Sequence, residues 1–231
     1  MLVRAHEDVG RSMALGEFET DDLQHFIAAV GPKDVVFDVG ANIGAYCVPV
    51  GRSRPGATVH AFEPIELNAS LIQVSLHMTR LHNVQVVRKC VSDSTGLVNF
   101  SLAEDSAYSS MIDTRRKAEV RRFECEAVSL DDYCNANAGL RPDIVKIDVE
   151  GAELKVLDGA RQLLSDPNRR PRLLLIELYD QNLAPFGTSI DAVTARMASH
   201  GYQAYVLVER RPVPFARKHH NAIYNVFFSC R

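Results

Sequence analysis

Asp34-Val-Val-Phe-Asp-Val-Gly-Ala-Asn-Ile-Gly44 decides the fold. Its first half is a strand-length apolar run, and the run ends in a glycine turn that opens a helix. In a doubly wound α/β sheet the ligand sits at such a place, outside the carboxyl ends of the strands. Gly40 lets the turn tighten and a ligand approach the backbone, and Gly44 permits close packing of the helix start. A dinucleotide site would show G-x-G-x-x-G here, because a pyrophosphate must rest against the backbone at the helix N-terminus. This turn instead has three residues between its glycines, and Asp38 stands two positions before the first. An acid there disfavours a pyrophosphate and favours a ligand with an ammonium group, of which S-adenosylmethionine is one. A nicotinamide oxidoreductase on the same sheet is the competing reading, and a plain strand-turn-helix joint is the blander one.

Outward from this turn, apolar runs of period two alternate with stretches of helical period. Residues 21–30 form a helix ended by Gly31-Pro32, and Pro49 is expected to kink the helix after Gly44. Strands are expected at 58–62, 84–87, 97–102, 124–130, 144–147 and 172–178. Helices are expected at 66–81, with Leu67, Leu71, Val74, Met78 and Leu81 along one face, at 150–165 and at 190–200. Residues 202–208 and 222–228 read as a final antiparallel hairpin. Residues 104–122, with the basic run Arg115-Arg116-Lys117, read as a polar loop, and residues 1–20 as an N-terminal arm or lid. Alternating strands and helices imply a mostly parallel central sheet with helices on both faces. No linker or repeat divides residues 21–231, so they are read as a single domain.

The 231 residues suffice for one large α/β core without disulfides. Lys plus Arg is 26 against 29 Asp plus Glu, for a net charge of −3, which lacks the basic excess of a phosphate-backbone binder. The five cysteines include no C-x-x-C pair, so a disulfide framework or cysteine zinc site is not expected and a reducing cytoplasm fits best. The first residues mix charges and lack an apolar signal core, and the apolar runs are strand-length, so neither a secretory signal nor a membrane span is expected.

Two further acids extend the site. Glu63 ends the second strand, 25 positions after Asp38, where a carboxylate can accept both ribose hydroxyls of an adenosine. Ser92-Asp93 follows the third, where Asp93 can accept an adenine amino group; taken alone, it is an ordinary turn.

At these positions the chain resembles the FkbM-type family of S-adenosylmethionine-dependent methyltransferases. The matching stretches are Asp-Val-Gly-Ala-Asn-Ile-Gly (38–44), Phe-Glu-Pro (62–64), Ser-Leu-Asp-Asp (129–132) and Lys-Ile-Asp-Val-Glu-Gly-Ala-Glu (146–153). Phe18-Glu19 is similar to an aromatic-Glu pair that the family often carries upstream. The resemblance implies a Rossmann-like class I methyltransferase fold and S-adenosylmethionine as cofactor. The residues expected to hold it are Glu19, Asp38, Gly40, Ala41, Asn42, Gly44, Glu63, Pro64, Asn68, Ser92, Asp93 and Asp148. The family commonly has His where this chain has Ala152.

Asp148 ends the fourth core strand, beside the expected position of the sulfonium methyl. Asp148-Val-Glu-Gly does not resemble the Asn/Asp-Pro-Pro-Tyr/Phe string of enzymes that methylate planar nitrogens, so a hydroxyl acceptor is favoured. Its proton must leave as the oxygen attacks, and Asp148, Glu150 and Glu177 are the candidate bases or positioning groups. The blander role for Glu150 and Glu153 is a charged first helical turn. A Mg²⁺-assisted version would join Asp148 to Asp180 and Asn182; the reading carried forward holds no metal. At most one of His219 and His220 can enter the cleft, since adjacent strand residues face opposite ways. The expected activity is O-methylation of a sugar, glycan or polyketide-like small molecule, with an N-methyltransferase as alternative. No nucleic-acid or membrane partner is expected, and a homodimer is compatible with the sequence.

Overall fold

The computed structural model describes residues 7–217 and 222–230. Its elements in chain order are α1 (Asp8–Leu15), α2 (Thr20–Ala29), β1 (Val35–Val39), α3 (Cys47–Ser53), β2 (Thr58–Phe62), α4 (Glu66–Thr79), β3 (Val84–Val87), β4 (Cys90–Val91), β5 (Gly96–Ala103), β6 (Glu119–Val128) and α5 (Leu130–Ala136). They continue with β7 (Ile144–Ile147), α6 (Glu153–Asp158), α7 (Arg161–Ser165), β8 (Leu173–Leu178), α8 (Asp180–Leu183), α9 (Ile190–Ser199), β9 (Gln203–Val208), β10 (Arg211–Pro214) and β11 (Tyr224–Ser229).

Eight strands form the central sheet in the order β10-β9-β11-β8-β7-β1-β2-β3. The five from β8 to β3 run parallel, as apolar strands buried on both faces do. On one face Phe37, Val39, Ile147 and Ile176 pack against Val156, Leu157, Leu163 and Met197 of α6, α7 and α9. On the other, Val36, Val59 and Leu175 pack against Phe26, Val50, Ile72 and Leu76 of α2, α3 and α4. The chain builds outward from β1 through β2 to β3 and then returns to place β7 on β1's other side. That reversal opens the crevice in which such sheets bind their ligands.

The antiparallel end is more elaborate than a hairpin. β9 and β11 are antiparallel neighbours, as expected, but β9 turns first into β10 through Glu209 and Arg210, both at positive φ, and β11 then inserts between β8 and β9. β5 and β6 leave the central sheet altogether, forming a three-stranded sheet with β4 in the order β4-β6-β5. The region read as a polar loop is strand only in its last four residues, because β6 begins at Glu119. The N-terminal arm contains the helix α1.

Three local expectations are corrected. Pro49 kinks nothing: α3 begins at Cys47, so Pro49 lies in the first turn, where its missing N–H costs no intrahelical bond. The expected helix over 150–165 is two short ones. Glu150 (φ 54°) and Gly151 (φ 106°) are left-handed, so the first helix starts only at Glu153, and the second starts after Gly159. Asp131 fixes that second start by accepting the N–H groups of Gln162 and Leu163, both at 2.9 Å. The apolar stripe on α4 does not meet the sheet: Leu67, Val74 and Met78 are 52%, 43% and 66% exposed, while Asn68, Ala69, Ile72, Ser75 and Leu76 are buried. Ile72 and Leu76 carry the packing of this inner face, and Asn68 is drawn in by Glu63 and Ser106.

This reversal of faces is checkable. Ile72→Ala is expected to cost about 2–5 kcal/mol through the cavity it leaves. Met78→Ala is expected to stay within about 0.5 kcal/mol of the parent, as exposed substitutions do. Urea denaturation of both variants measures the difference.

Candidate active site

The floor of the crevice is made where β1 and β7 end side by side. Asp38 and Lys146 are register partners on these strands, and both are buried. The Lys146 ammonium lies 2.9 Å from Asp148 Oδ2, 3.3 Å from the Gly40 carbonyl and 3.9 Å from Asp38 Oδ1, with the Tyr46 ring centroid at 5.3 Å. Burial opposes its charge, but Asp148, Asp38 and Glu19 outweigh that and raise its pKa. Asp38 accepts the Cys47 N–H at 2.9 Å through Oδ2, while its buried Oδ1 has no hydrogen-bond partner. Burial raises the Asp38 pKa and Lys146 pulls it back. Glu19, held left-handed at the start of α2, accepts the Tyr46 hydroxyl; burial raises its pKa. Gly40, at φ 79°, is required by packing: a Cβ there would stand 1.8 Å from the Asp148 carbonyl.

From this floor a cavity of about 190 Å³ extends toward the end of β2. Glu63 is buried there, accepting the Asn42 N–H at 2.8 Å and the Ile65 N–H at 2.9 Å. Burial pushes its pKa up to about 8 against those two bonds. Asn68 stands behind it and accepts the Ser106 hydroxyl at 3.3 Å. Pro64, Ile65, Cys90, Val91, Phe100 and Met111 give this end an apolar lining suited to a flat heterocycle.

At the other end the carboxylates of Asp148, Glu150 and Glu177 have oxygens within 4.8 Å of one another. Glu150 Oε2 accepts Arg116 Nη1 at 3.0 Å and Asn182 Nδ2 at 2.6 Å. Burial, then Asp148, pushes the Glu150 pKa up to about 8, with Arg116 opposing. Burial likewise raises Glu177 well above the usual carboxylate range. The Arg116 guanidinium is 4.4 Å from the Tyr108 ring centroid and 5.0 Å from that of Tyr179. The outer wall is pinned to α1: Asp8 accepts the Tyr108 hydroxyl at 2.8 Å, and Glu7 accepts that of Ser106, also at 2.8 Å.

Of the residues singled out in the sequence, Glu19, Gly40, Ala41, Asn42, Glu63, Pro64, Asp148, Glu150 and Glu177 line this one cavity. Asp38, Gly44, Asn68 and Ser92 are buried around it. Asp93 lies outside: Lys155 pairs with it at 2.8 Å and lowers its pKa, and both border a separate hollow beside Gly151. Asp180 is engaged by Arg217 and by the Ile190 N–H, so the Asp148–Asp180–Asn182 arrangement is not assembled. Glu150 is outside any helix, whereas Glu153 does stand in the first turn of α6, where it is buried and accepts the Val149 and Gly151 N–H groups. His219 and His220 lie outside the described residues. Sequence reasoning passed over Lys146 and Tyr46 as site residues. Lys146 was legible in principle, since it shares a strand face with Asp148 two residues on.

The residues present fit S-adenosylmethionine. Asn42 Oδ1 at the cavity and Asp38 Oδ1 beneath it are buried acceptors without hydrogen-bond partners, Glu63 is a buried carboxyl on the cavity wall, and acids outnumber bases along the walls. Fold and site together define an S-adenosylmethionine-dependent methyltransferase. The chain belongs to the FkbM methyltransferase family, whose methyltransferase FkbM domain matches residues 38–204. It is 28% identical to 31-O-demethyl-FK506 methyltransferase FkbM of Streptomyces tacrolimicus, over 90% of this chain and 88% of that protein. It is 26% identical to hexuronic acid methyltransferase AglP of Haloferax volcanii, over 70% of this chain and 62% of that protein. Among solved structures, magnesium protoporphyrin IX methyltransferase from Synechocystis PCC 6803 with bound S-adenosylmethionine aligns with a TM-score of 0.54. That alignment covers 97% of this chain and 84% of the other at 11% identity, a likeness of fold alone. No helix among the described residues is long and apolar enough to cross a membrane.

The Glu63 carboxyl gives the cofactor site a pH signature. Ribose hydroxyls donate to the ionised form, so binding favours loss of the proton held below about 8. Calorimetric affinity for S-adenosylhomocysteine is therefore expected to rise with pH toward that value and then level. Glu63→Gln is expected to weaken binding and flatten this rise.

Proposed function

We propose that the protein methylates a hydroxyl oxygen of a sugar, glycan or polyketide-like small molecule. The observation that carries this reading is the carboxylate trio Asp148, Glu150 and Glu177 at the mouth of the cavity, beside Arg116 and two tyrosine rings. When bound, the cofactor supplies an electrophilic methyl group on a sulfonium. Asp148 would hold the acceptor hydroxyl, and Glu150 would take up the proton that hydroxyl loses on methylation. A carboxyl poised at about 8 suits that work, because a base is most effective when its pKa lies near the working pH. Arg116 and Asn182 both bond to Glu150 Oε2 and fix its orientation, while Oε1 carries neither bond. Tyr108 lines the cavity as a face for a sugar or macrocycle ring, and the wall joining α1 to residues 104–118 bounds the acceptor. The names of the two relatives, one acting on an FK506 precursor and one on a hexuronic acid, support an oxygen acceptor of this size class. The same reading places the protein in the cytoplasm without a nucleic-acid or membrane partner, supported by five unpaired thiols and the absence of a basic surplus.

Incubation with methyl-labelled cofactor, cell extracts and a panel of hydroxylated acceptors, read by mass spectrometry, tests the proposal. Label on oxygen supports it; label confined to nitrogen or carbon sinks it. With the acceptor in hand, Glu150→Gln and Asp148→Asn are each expected to lower kcat by about 10²–10⁴-fold while cofactor affinity survives. The parent kcat is expected to rise with pH through about 8, as Glu150 ionises, and this limb should vanish in Glu150→Gln.

A further inference from the structure

We infer that Lys146 is a positioning residue that keeps Asp38 ionised beneath the cofactor crevice and pins Asp148 at its mouth. Lys146 is 7% exposed and sits between the ends of two strands, where its single ammonium reaches three segments of chain. It bonds to Asp148 Oδ2 and to the carbonyl of Gly40, and it is the cation nearest the unpartnered oxygen of Asp38. The groups around the pair come from every neighbouring element. Asp38 faces Lys146 from β1, Glu19 from the start of α2, Tyr46 from the turn before α3, Glu177 from β8 and Asp148 from the end of Lys146's own strand; Cys47 and Glu63 lie beside Asp38. Acids dominate this set. A buried carboxylate among them, with no hydrogen bond to one oxygen, retains its charge only while a cation stays in reach.

The consequence for binding follows from charge. The cofactor brings an ammonium group, so it prefers an ionised Asp38. With Lys146 in place that state exists beforehand; without it, Asp38 takes up a proton that the cofactor must expel. This inference rests on cofactor binding in this crevice.

Calorimetry of S-adenosylhomocysteine binding at pH 7, repeated in buffers of different ionisation enthalpy, counts the protons released. The wild type supplies the baseline, including the contribution of Glu63. Lys146→Met is expected to release about one proton more than wild type, and its affinity to fall up to about tenfold further per pH unit on acidification. Adding Asp38→Asn to that variant is expected to return the count to the wild-type value. Should Lys146→Met not fold, Lys146→Gln carries the same expectations and keeps a donor for the Gly40 carbonyl. A folded Lys146 variant with the wild-type proton count overturns the inference, as does an excess that survives Asp38→Asn. A merely structural lysine would change affinity equally at every pH. Failure of the wild type itself to bind S-adenosylhomocysteine would instead overturn the cofactor assignment.

Discussion

A buried ammonium between two aspartates is the constraint on which the site depends. Lys146 cannot remain charged inside the sheet without Asp38 and Asp148, and neither β1 nor β7 can shift without breaking that set. The ladder between β1 and β7 sets the distance between the two strand ends, and this contact ties their acids together across it. Gly40 is the steric counterpart, because the turn after β1 passes so near the Asp148 carbonyl that a side chain cannot be admitted. Charge and close approach thus fix the same point, where the order of strands reverses and the topology leaves space for a ligand.

From that point the cavity divides into two chemistries. Toward β2 its lining is largely apolar, with the Glu63 carboxyl held by the Asn42 and Ile65 N–H groups. Toward β8 it becomes a cluster of carboxyl groups in which burial keeps protons on Glu150 and Glu177 near neutral pH, with Arg116 opposing at Glu150. The two ends are bridged by a wall that belongs to neither half of the sheet. That wall comes from residues 104–118 and is tied to α1 by Glu7 and Asp8. An acceptor would therefore meet the parts of the chain with the weakest periodicity, where specificity most often resides.

The parallel half of the sheet was legible because its strands are short apolar runs ending in acids and glycines, and those strings carry their own geometry. Asp38, Glu63 and Asp148 mark three neighbouring strand ends, and their order in the chain is enough to align them along one ligand. Asp93 shows the limit of that logic. It too follows a strand, but after β3 the chain jogs into β4, and Asp93 emerges beside Lys155 while Cys90 and Val91 face the cavity. The stripe on α4 shows another limit. Spacing tells which residues share a face but not which face meets the sheet, and here the face of Asn68, Ala69, Ile72, Ser75 and Leu76 does.

The sequence by itself determined the class of fold, the crevice and the acids that mark its strand ends, because periodicity and strand-end motifs are local properties. Only the tertiary structure decided that Arg116 reaches Glu150 across 34 positions and that Glu177 joins Asp148. It alone decided that β11 slips between β8 and β9, and that residues expected in one helix form a left-handed bend and two short helices. Each of these depends on partners distant in the chain: a carboxylate that caps from α5, a guanidinium that enters from a loop, a strand edge left open for pairing. No local pattern encodes them, because what stabilises them is the burial and charge balance of groups that meet only once the chain has folded.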